Sequence, residues 1–373
     1  MTTPHSSTYA TATIPSLDGI RAIAVSLVFF AHSGFQDLVP GGLGVTLFFV
    51  LSGYLITTLM RIEYARDGTI SYGGFYLRRL LRLMPPLFIV VAISGVLAAA
   101  SVIDGAFTTG GLLAALFYFG NYFAISQDFH GFPAGIGVVW SLAIEEHYYV
   151  FYPPIAALLL RVGRIGLSVG VLTGLCAVIL AWRYWLVFHG ASQAHLSMAT
   201  DTRIDAILIG CIMGLARNPW LDRVAAPNTM RDYGVAALCI AVLLATLLYR
   251  NDVFRFTARY TLQSVSLAAL LYLAVARAQF VPFRWLNARP LAYIGTVSYT
   301  IYLSHDVILT GLAAHWPAWN WASVTFTGAV ITLVFAEAMR RWVEQPCAVL
   351  RRRLHRPSPP RAPVGNPVQL GAP

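Results

Sequence analysis

The chain has 373 residues, of which 57% are apolar and only 11% charged. A soluble domain carries roughly a quarter charged residues, so an ordinary water-exposed globule is excluded. All 26 basic residues are arginine, which removes lysine Schiff-base chemistry and a P-loop lysine; the net charge of +10 sits in short loops between apolar runs and reads as a topology signal, with no nucleic-acid partner expected.

Residues 1–15 are polar and lack the basic start and cleavage site of a secretory leader, so they read as a cytoplasmic N-terminal tail. Apolar runs recur near 17–34, 42–60, 84–102, 138–160, 166–187, 203–216, 233–249, 259–277, 290–313 and 321–341. A membrane-crossing helix needs about 17–25 such residues. The stretch "GLLAALFYFGNYFAIS" at 110–125 is shorter and is interrupted by Gly120-Asn121. If it does not cross and the N-terminus lies inside, 20 arginines fall on the inner side, and only Arg250, Arg255 and Arg259 fall clearly outside. A full crossing would invert the later loops and erase that asymmetry. The sequence therefore predicts an all-α polytopic membrane protein with about ten transmembrane helices and one re-entrant or interfacial segment. Both termini are cytoplasmic, and one transmembrane domain covers 16–344.

The stretch 61–83 reads as a cytoplasmic loop holding an arginine cluster. From 345 to 373 the chain is basic and Pro-rich, and reads as a disordered cytoplasmic tail able to touch anionic lipid headgroups. Cys176, Cys211, Cys239 and Cys347 are widely spaced, with neither metal-ligand nor disulfide spacing, and no metal is expected.

Polar residues inside the apolar runs are the candidates for chemistry. In "LDGIRAIAVSLVFFAHSGF" (17–35), the eleven steps from Arg21 to His32 turn a helix about 20° past three full turns. Both side chains then share one face, about 16 Å apart along the axis. Ionisable groups in a membrane helix cost about 2.5–3.5 kcal/mol or more and usually face a cavity. Asp18 stands one turn before Arg21 and can pair with it. An interfacial Arg and a packed His are the bland alternative.

In "VVWSLAIEEHYYVFYPP" (138–154), Glu145 and Glu146 point about 100° apart. One can face a cavity while the other holds the fold; both being interfacial is the alternative. In "SYTIYLSH" (298–305), Ser298, Tyr302 and His305 form one polar stripe, which interhelical hydrogen bonding explains equally well. In "FYLRRLLRLMPP" (75–86), Arg78 and Arg82 lie one turn apart beside Arg79. They can grip a polyphosphate with forked donors or simply mark topology. In "DTRIDAILIG" (201–210), Asp201, Arg203 and Asp205 read as an intramolecular ion-pair network.

Taken in order, "LDGIRAIAVSLVFFAH", "GLGVTLFFVLSGYLIT", "YLRRLLRLMPP", "WSLAIEEHYYVFYP", "DTRIDAILIG", "SYTIYLSH" and "VEQP" resemble the acyltransferase-3 family of membrane O-acyltransferases, from about Leu17 to Pro346. The resemblance implies transfer of an acyl group, usually acetyl, from cytoplasmic acyl-CoA to a hydroxyl at the bacterial cytoplasmic (inner) membrane. The acceptor it implies is an exopolysaccharide, a lipopolysaccharide or another glycan, including a lipid-linked oligosaccharide. Acyl-CoA, with acetyl-CoA as the leading choice, is a substrate, and no bound cofactor is implied. The family's Arg-to-His spacing falls on Arg21 and His32, and its paired-arginine motif on Arg78, Arg79 and Arg82. His147 and Tyr148 stand where the family usually has Gln and Phe. Many relatives carry a fused periplasmic esterase-like domain; without one, the chain acylates its acceptor unaided or hands the acyl group to a periplasmic or glycan-assembly partner.

On this reading His32 is a general base or an acyl-accepting nucleophile, with Glu145 and His305 as further catalytic candidates. Arg21, Arg78, Arg79, Arg82, Asp18, Glu146, Ser298 and Tyr302 are the substrate-binding candidates. Other readings are a small-molecule O-acyltransferase of the macrolide-modifying kind, a proton-coupled transporter, and an inactive sensor. A transporter predicts inverted repeats with matching broken helices, and the sequence shows neither. A sensor predicts damaged motifs, and the motifs stand intact.

Overall fold

A computed structural model describes residues 14–354, which contain helices and no strand. Helix α1 (Leu17–Phe30) passes into a π-helical turn at Ala31–Phe35, where Gly34 has φ 99°. Glycine takes that left-handed backbone without steric cost. Helix α2 (Gly41–Asp67) ends on Gly68, and α3 (Tyr72–Ala99) begins where the Ser71 hydroxyl accepts from the Gly74 amide. Two eight-residue helices follow, α4 (Thr109–Leu116) and α5 (Gly120–Gln127). Then come α6 (Val139–Val162), α7 (Ile165–Phe188), the short α8 (Gln193–Met198) and α9 (Thr200–Arg203), and α10 (Asp205–Ala216). The chain continues through α11 (Thr229–Leu248), α12 (Asp252–Phe256), α13 (Ala258–Ala276), α14 (Arg289–Thr296), α15 (Ser298–His315), α16 (Trp321–Met339) and α17 (Gln345–Leu354).

Polar ties sort the connecting turns into two ends of one bundle. At the Arg21 end, Arg61 pairs with Asp222 at 2.7 Å, Arg277 with Asp232 at 2.6 Å, and the Ser16 amide donates to Asn287 at 2.7 Å. At the His32 end, Arg203 donates to Thr46 at 2.9 Å, Asn121 to Thr200 at 3.0 Å, and Thr325 to the Ser33 carbonyl at 3.0 Å. The bundle centre is α2 against α10. Gly53 and Gly210 let the two backbones touch there: a Cβ on Gly53 would run into the Ile207 carbonyl oxygen, and one on Gly210 into that of Val50. Small residues at such crossings are the usual means of close packing between membrane helices.

Seven helical stretches among the described residues are long and apolar enough to cross a membrane. The expected tally of about ten also included 138–160, 203–216 and 290–313, which fold as α6, as α10 and as α14 with α15. Helix α6 carries Glu145, Glu146 and His147, and α15 carries His305 and Asp306. Helix α10 has 12 residues, about 18 Å at 1.5 Å per residue. Their polar or short character is what separates them from the seven. Residues 110–125 fall on α4 and α5, broken at Tyr118 with φ 60°. Each is about 12 Å long, too short to cross.

Two sequence expectations are corrected. The loop expected at 61–83 is helical except at 68–71, because α2 runs past the apolar stretch and α3 begins before the next one. The arginine cluster therefore lies on a rigid helix. The expected disordered tail is helical from Gln345 to Leu354, continuing α16 through a π-helical turn at Arg340–Glu344. Pro346 follows closely on that π-helical turn. Residues 1–13 and 355–373, which hold most of the two expected tails, lie outside the described residues.

Candidate active site

Two cavities stand back to back inside the bundle. The inner one, at the Arg21 end, is small, about 80 Å³. Arg21, Arg79, Arg82, Ser52, Glu145 and Tyr149 line its polar side. Asp18 pairs with Arg21 at 2.7 Å, holding the guanidinium one turn into α1. The Arg79 guanidinium lies 5.1 Å from the Tyr149 ring centre and 5.6 Å from that of Phe75. An Arg over an aromatic face keeps its donors free for an anion while the ring replaces part of its hydration. The Ser52 hydroxyl donates to Glu145 at 3.0 Å, and the Tyr149 hydroxyl donates to the other carboxylate oxygen at 3.3 Å. Ser52 and Tyr149 are also 3.1 Å apart, so the three side chains close a triangle.

The outer cavity, at the His32 end, is about 710 Å³. His32, Asp306, Trp140, Arg203, Arg259 and Tyr260 are among its walls. The His32 Nδ1 lies 2.9 Å from the Val28 carbonyl oxygen. A carbonyl only accepts, so in the neutral ring Nδ1 carries the hydrogen and Nε2 keeps a free lone pair. His305 is fully buried and repeats the arrangement, with Nδ1 2.7 Å from the Tyr302 carbonyl and 3.1 Å from that of Ile301. Its Nε2 makes no hydrogen bond among the described residues. The two imidazoles meet edge to face, with ring centres 5.0 Å apart.

Tyr302 and Val45 belong to the walls of both cavities. The Tyr302 hydroxyl lies 2.6 Å from Ser141 Oγ and donates to the Val138 carbonyl at 3.2 Å. It is held as a partition between the arginine side and the histidine side.

The sequence-derived candidates divide accordingly. Arg21, Arg79, Arg82, Glu145, Ser298 and Tyr302 line the inner cavity, while His32 lines the outer one beside the buried His305. Arg21 and His32, expected on one cavity face, therefore occupy two cavities, because neighbouring helices and Tyr302 close the space between their ends. Arg78, expected in the phosphate-gripping pair, lines neither cavity. It donates to Glu63 at 3.0 Å, and the other Glu63 oxygen accepts from the Ser71 amide, which ties the turn between α2 and α3. Arg79, one position on, takes the place beside Arg82. Glu146 lines neither cavity. His147 bonds Thr200 at 2.7 Å, linking α6 to α9.

The expected network of Asp201, Arg203 and Asp205 is dispersed. Asp205 pairs at 2.7 Å with Arg183, both side chains fully buried. Asp201 accepts from Trp182 at 2.8 Å and lies 3.0 Å from His195. Arg203 turns into the outer cavity and stacks 3.8 Å from the Tyr260 ring centre. Ser52, Tyr149, Asp306 and Arg259 were not singled out in the sequence. A signal existed for Ser52, a hydroxyl in the middle of the apolar run "TLFFVLSGYLIT". Arg259 was counted only as an outside charge.

Comparison with known proteins bears on this arrangement. The chain is 29% identical over 350 residues to the protein named "Putative O-acetyltransferase" of Staphylococcus aureus (strain COL), covering 89% of this chain and 57% of the relative. It is 28% identical over 356 residues to the peptidoglycan O-acetyltransferase OatA of Listeria monocytogenes, covering 91% of this chain and 56% of OatA. The chain thus spans little more than half the length of these relatives. No solved structure matches it. The acyltransferase-3 family, described as an acyltransferase domain, matches residues 14–339, and the chain belongs to that family.

Proposed function

We propose that the chain is a membrane O-acyltransferase that moves an acyl group, acetyl in the first instance, from acyl-CoA to a hydroxyl of a glycan. The observation that carries this reading is the pair of back-to-back cavities, arginine-lined on one side and histidine-lined on the other, sharing Tyr302. Acyl-CoA is polyanionic at its nucleotide end and carries the thioester on a long neutral arm. Arg21, Arg79 and Arg82 suit the first, and the apolar wall residues Val45, Phe48 and Leu142 of the same cavity suit the second. The arginine asymmetry supports ten crossings with the Arg21 end and both termini in the cytoplasm of a bacterial cytoplasmic membrane, where acyl-CoA is made.

On the His32 side the steps balance. Nε2 of His32 takes the proton of the acceptor hydroxyl as the oxygen bonds to the thioester carbon. The carbon–sulfur bond then breaks, and the CoA thiolate leaves and takes that proton from His32. In the variant route, Nε2 itself attacks the thioester carbon and the CoA thiolate leaves; the acceptor oxygen then bonds to the acyl carbon, its proton passes to the thiolate, and the carbon–nitrogen bond breaks to restore the imidazole. Glu145, fixed by Ser52 and Tyr149, balances the arginine charge. The relatives' names support a glycan acceptor; exopolysaccharide, lipopolysaccharide and lipid-linked oligosaccharide share the required hydroxyl chemistry.

The test uses purified protein in lipid vesicles with acetyl-CoA labelled in its acetyl group and soluble glycan oligomers. Release of CoA thiol that rises with glycan, together with label on the glycan, is expected. Thiol release no greater than in protein-free vesicles overturns the reading.

A further inference from the structure

The outer cavity contains a charge that acyl transfer does not use. Arg203 is 2% exposed, and its Nε makes no hydrogen bond among the described residues. Its other nitrogens donate to the Ser197 carbonyl at 3.1 Å and to Thr46 at 2.9 Å. Arg259 lines the same cavity, and its Nε is likewise buried without a partner. Both guanidinium groups flank Tyr260, at 3.8 and 5.3 Å from its ring centre. The nearby Asp205 is committed to Arg183, and neither Arg203 nor Arg259 forms an ion pair among the described residues. Among the described residues the cavity's one acidic wall residue is Asp306, which belongs to the helix of His305 and lies within electrostatic reach of His32. Arg203 is buried and Arg259 half-buried; holding a guanidinium away from water without a counter-charge is costly, and an anion arriving from outside removes that cost.

We propose that Arg203 and Arg259 form an anion subsite for the acceptor. The acceptor then carries a carboxylate or a phosphate ester close to the hydroxyl that His32 activates. This rests on the preceding reading only in calling the ligand an acceptor; the subsite itself follows from the cavity and from two arginines that form no ion pair among the described residues. A forked donor set beside an aromatic ring recognises planar carboxylate or phosphate oxygens and discriminates against the neutral analogue, which leaves the donors unmet.

Two matched pairs of probes test it on purified protein in detergent, by titration calorimetry. A hyaluronan tetrasaccharide, which carries carboxylates, is compared with neutral chitotetraose. Farnesyl diphosphate is compared with farnesol. At least one anionic probe binds about tenfold or more tightly than its neutral partner, the scale expected of a hydrogen bond to a charged group. Arg259→Gln removes that preference, while acetyl-CoA binding at the other cavity is unchanged. Preference for the tetrasaccharide alone assigns a carboxylated glycan; preference for the diphosphate alone assigns a lipid-linked phosphate; preference for both assigns the shared anionic chemistry. Equal binding within each pair, no binding of any probe, or a preference that survives Arg259→Gln overturns the subsite. Arg203 is packed more deeply, so Arg203→Gln is read only at equal folded yield and Arg259→Gln carries the decision. Loss of acetyl-CoA binding in the unmutated protein would count against the transferase reading and leave the anion preference to be judged separately.

Discussion

Tyr302 and Ser141 join α15 to α6 through hydroxyls 2.6 Å apart, and this bond holds the wall between the two cavities. The wall is two side chains, Tyr302 and Val45, and the proposed transfer needs a thioester to reach past it without bulk water crossing. Replacing Tyr302 with Ala joins the cavities. Thioester hydrolysis without acceptor is then expected to rise relative to transfer onto glycan, because water gains the path proposed for the pantetheine arm. Tyr302→Phe keeps the ring and loses only the hydroxyl bonds, so it costs about 1 kcal/mol of stability and leaves the hydrolysis-to-transfer ratio near wild type. The two ratios, measured side by side by thiol release and label transfer, check the assignment; equal ratios in Ala and Phe variants exclude a partition.

The arginine cluster divides by contact rather than by charge. Arg82 reaches the inner cavity and Arg78 is tied to Glu63. Arg82→Lys keeps the charge and loses the forked donors, so the KM for acyl-CoA rises about tenfold with kcat little changed. Arg78→Lys leaves that KM within about twofold and lowers thermal stability instead, as expected of a partly buried ion pair. Steady-state kinetics and melting of both variants distinguish them, and a KM raised equally by both returns Arg78 to the donor site.

Much of this site was legible in the sequence because polar residues are conspicuous inside apolar runs. Arg21, His32, Glu145 and His305 stood out one helix at a time, and the Asp18 partner followed from helical spacing. What helical spacing could not supply was which helices face each other. Arg78 and Arg79 differ by one position and about 100° of helix rotation, and only packing decides which faces the cavity. Arg203 looked like a partner for Asp205 in sequence, but Arg183 on α7 lies closer in the fold. The helical start of the basic tail was hidden by composition, since arginines favour helix as readily as they suit disorder.

At the Arg21 end, Asp222 lies outside the membrane-spanning helices and accepts both Arg61 nitrogens, at 2.7 and 3.1 Å, and the Asn218 amide at 2.8 Å. Burial pushes its carboxyl up, but the bonds from Arg61 and the Asn218 amide outweigh that and hold it below the usual carboxylate range. A folded-state value below the unfolded one means stability that is present above the unfolded pKa, about 3.9, and lost as pH falls through the folded value. Asp222→Asn therefore lowers the melting temperature in detergent by a constant amount from neutral pH down to about 5, and the gap to wild type narrows below about 4. A gap that stays constant to pH 3 rules out the carboxylate as its source.

His32 bears the most specific expectation. Its Nδ1 is committed to the Val28 carbonyl, which leaves Nε2 as the group that can accept a proton or an acyl group in the outer cavity. His305 has the same backbone commitment but is fully enclosed, so it meets the acceptor only through His32. A base supplies about 10²–10⁴-fold in rate, so His32→Gln loses at least about a hundredfold in transfer at equal folded protein, with acetyl-CoA binding unchanged. His305→Gln removes a neighbour rather than the base and gives a smaller loss with a displaced pH–rate profile. Transfer to glycan, acetyl-CoA binding and melting temperature are measured on both variants. If His32→Gln keeps more than about a tenth of wild-type turnover, against the roughly hundredfold loss expected of a base, then His305 becomes the base and the enclosure seen here must open during turnover.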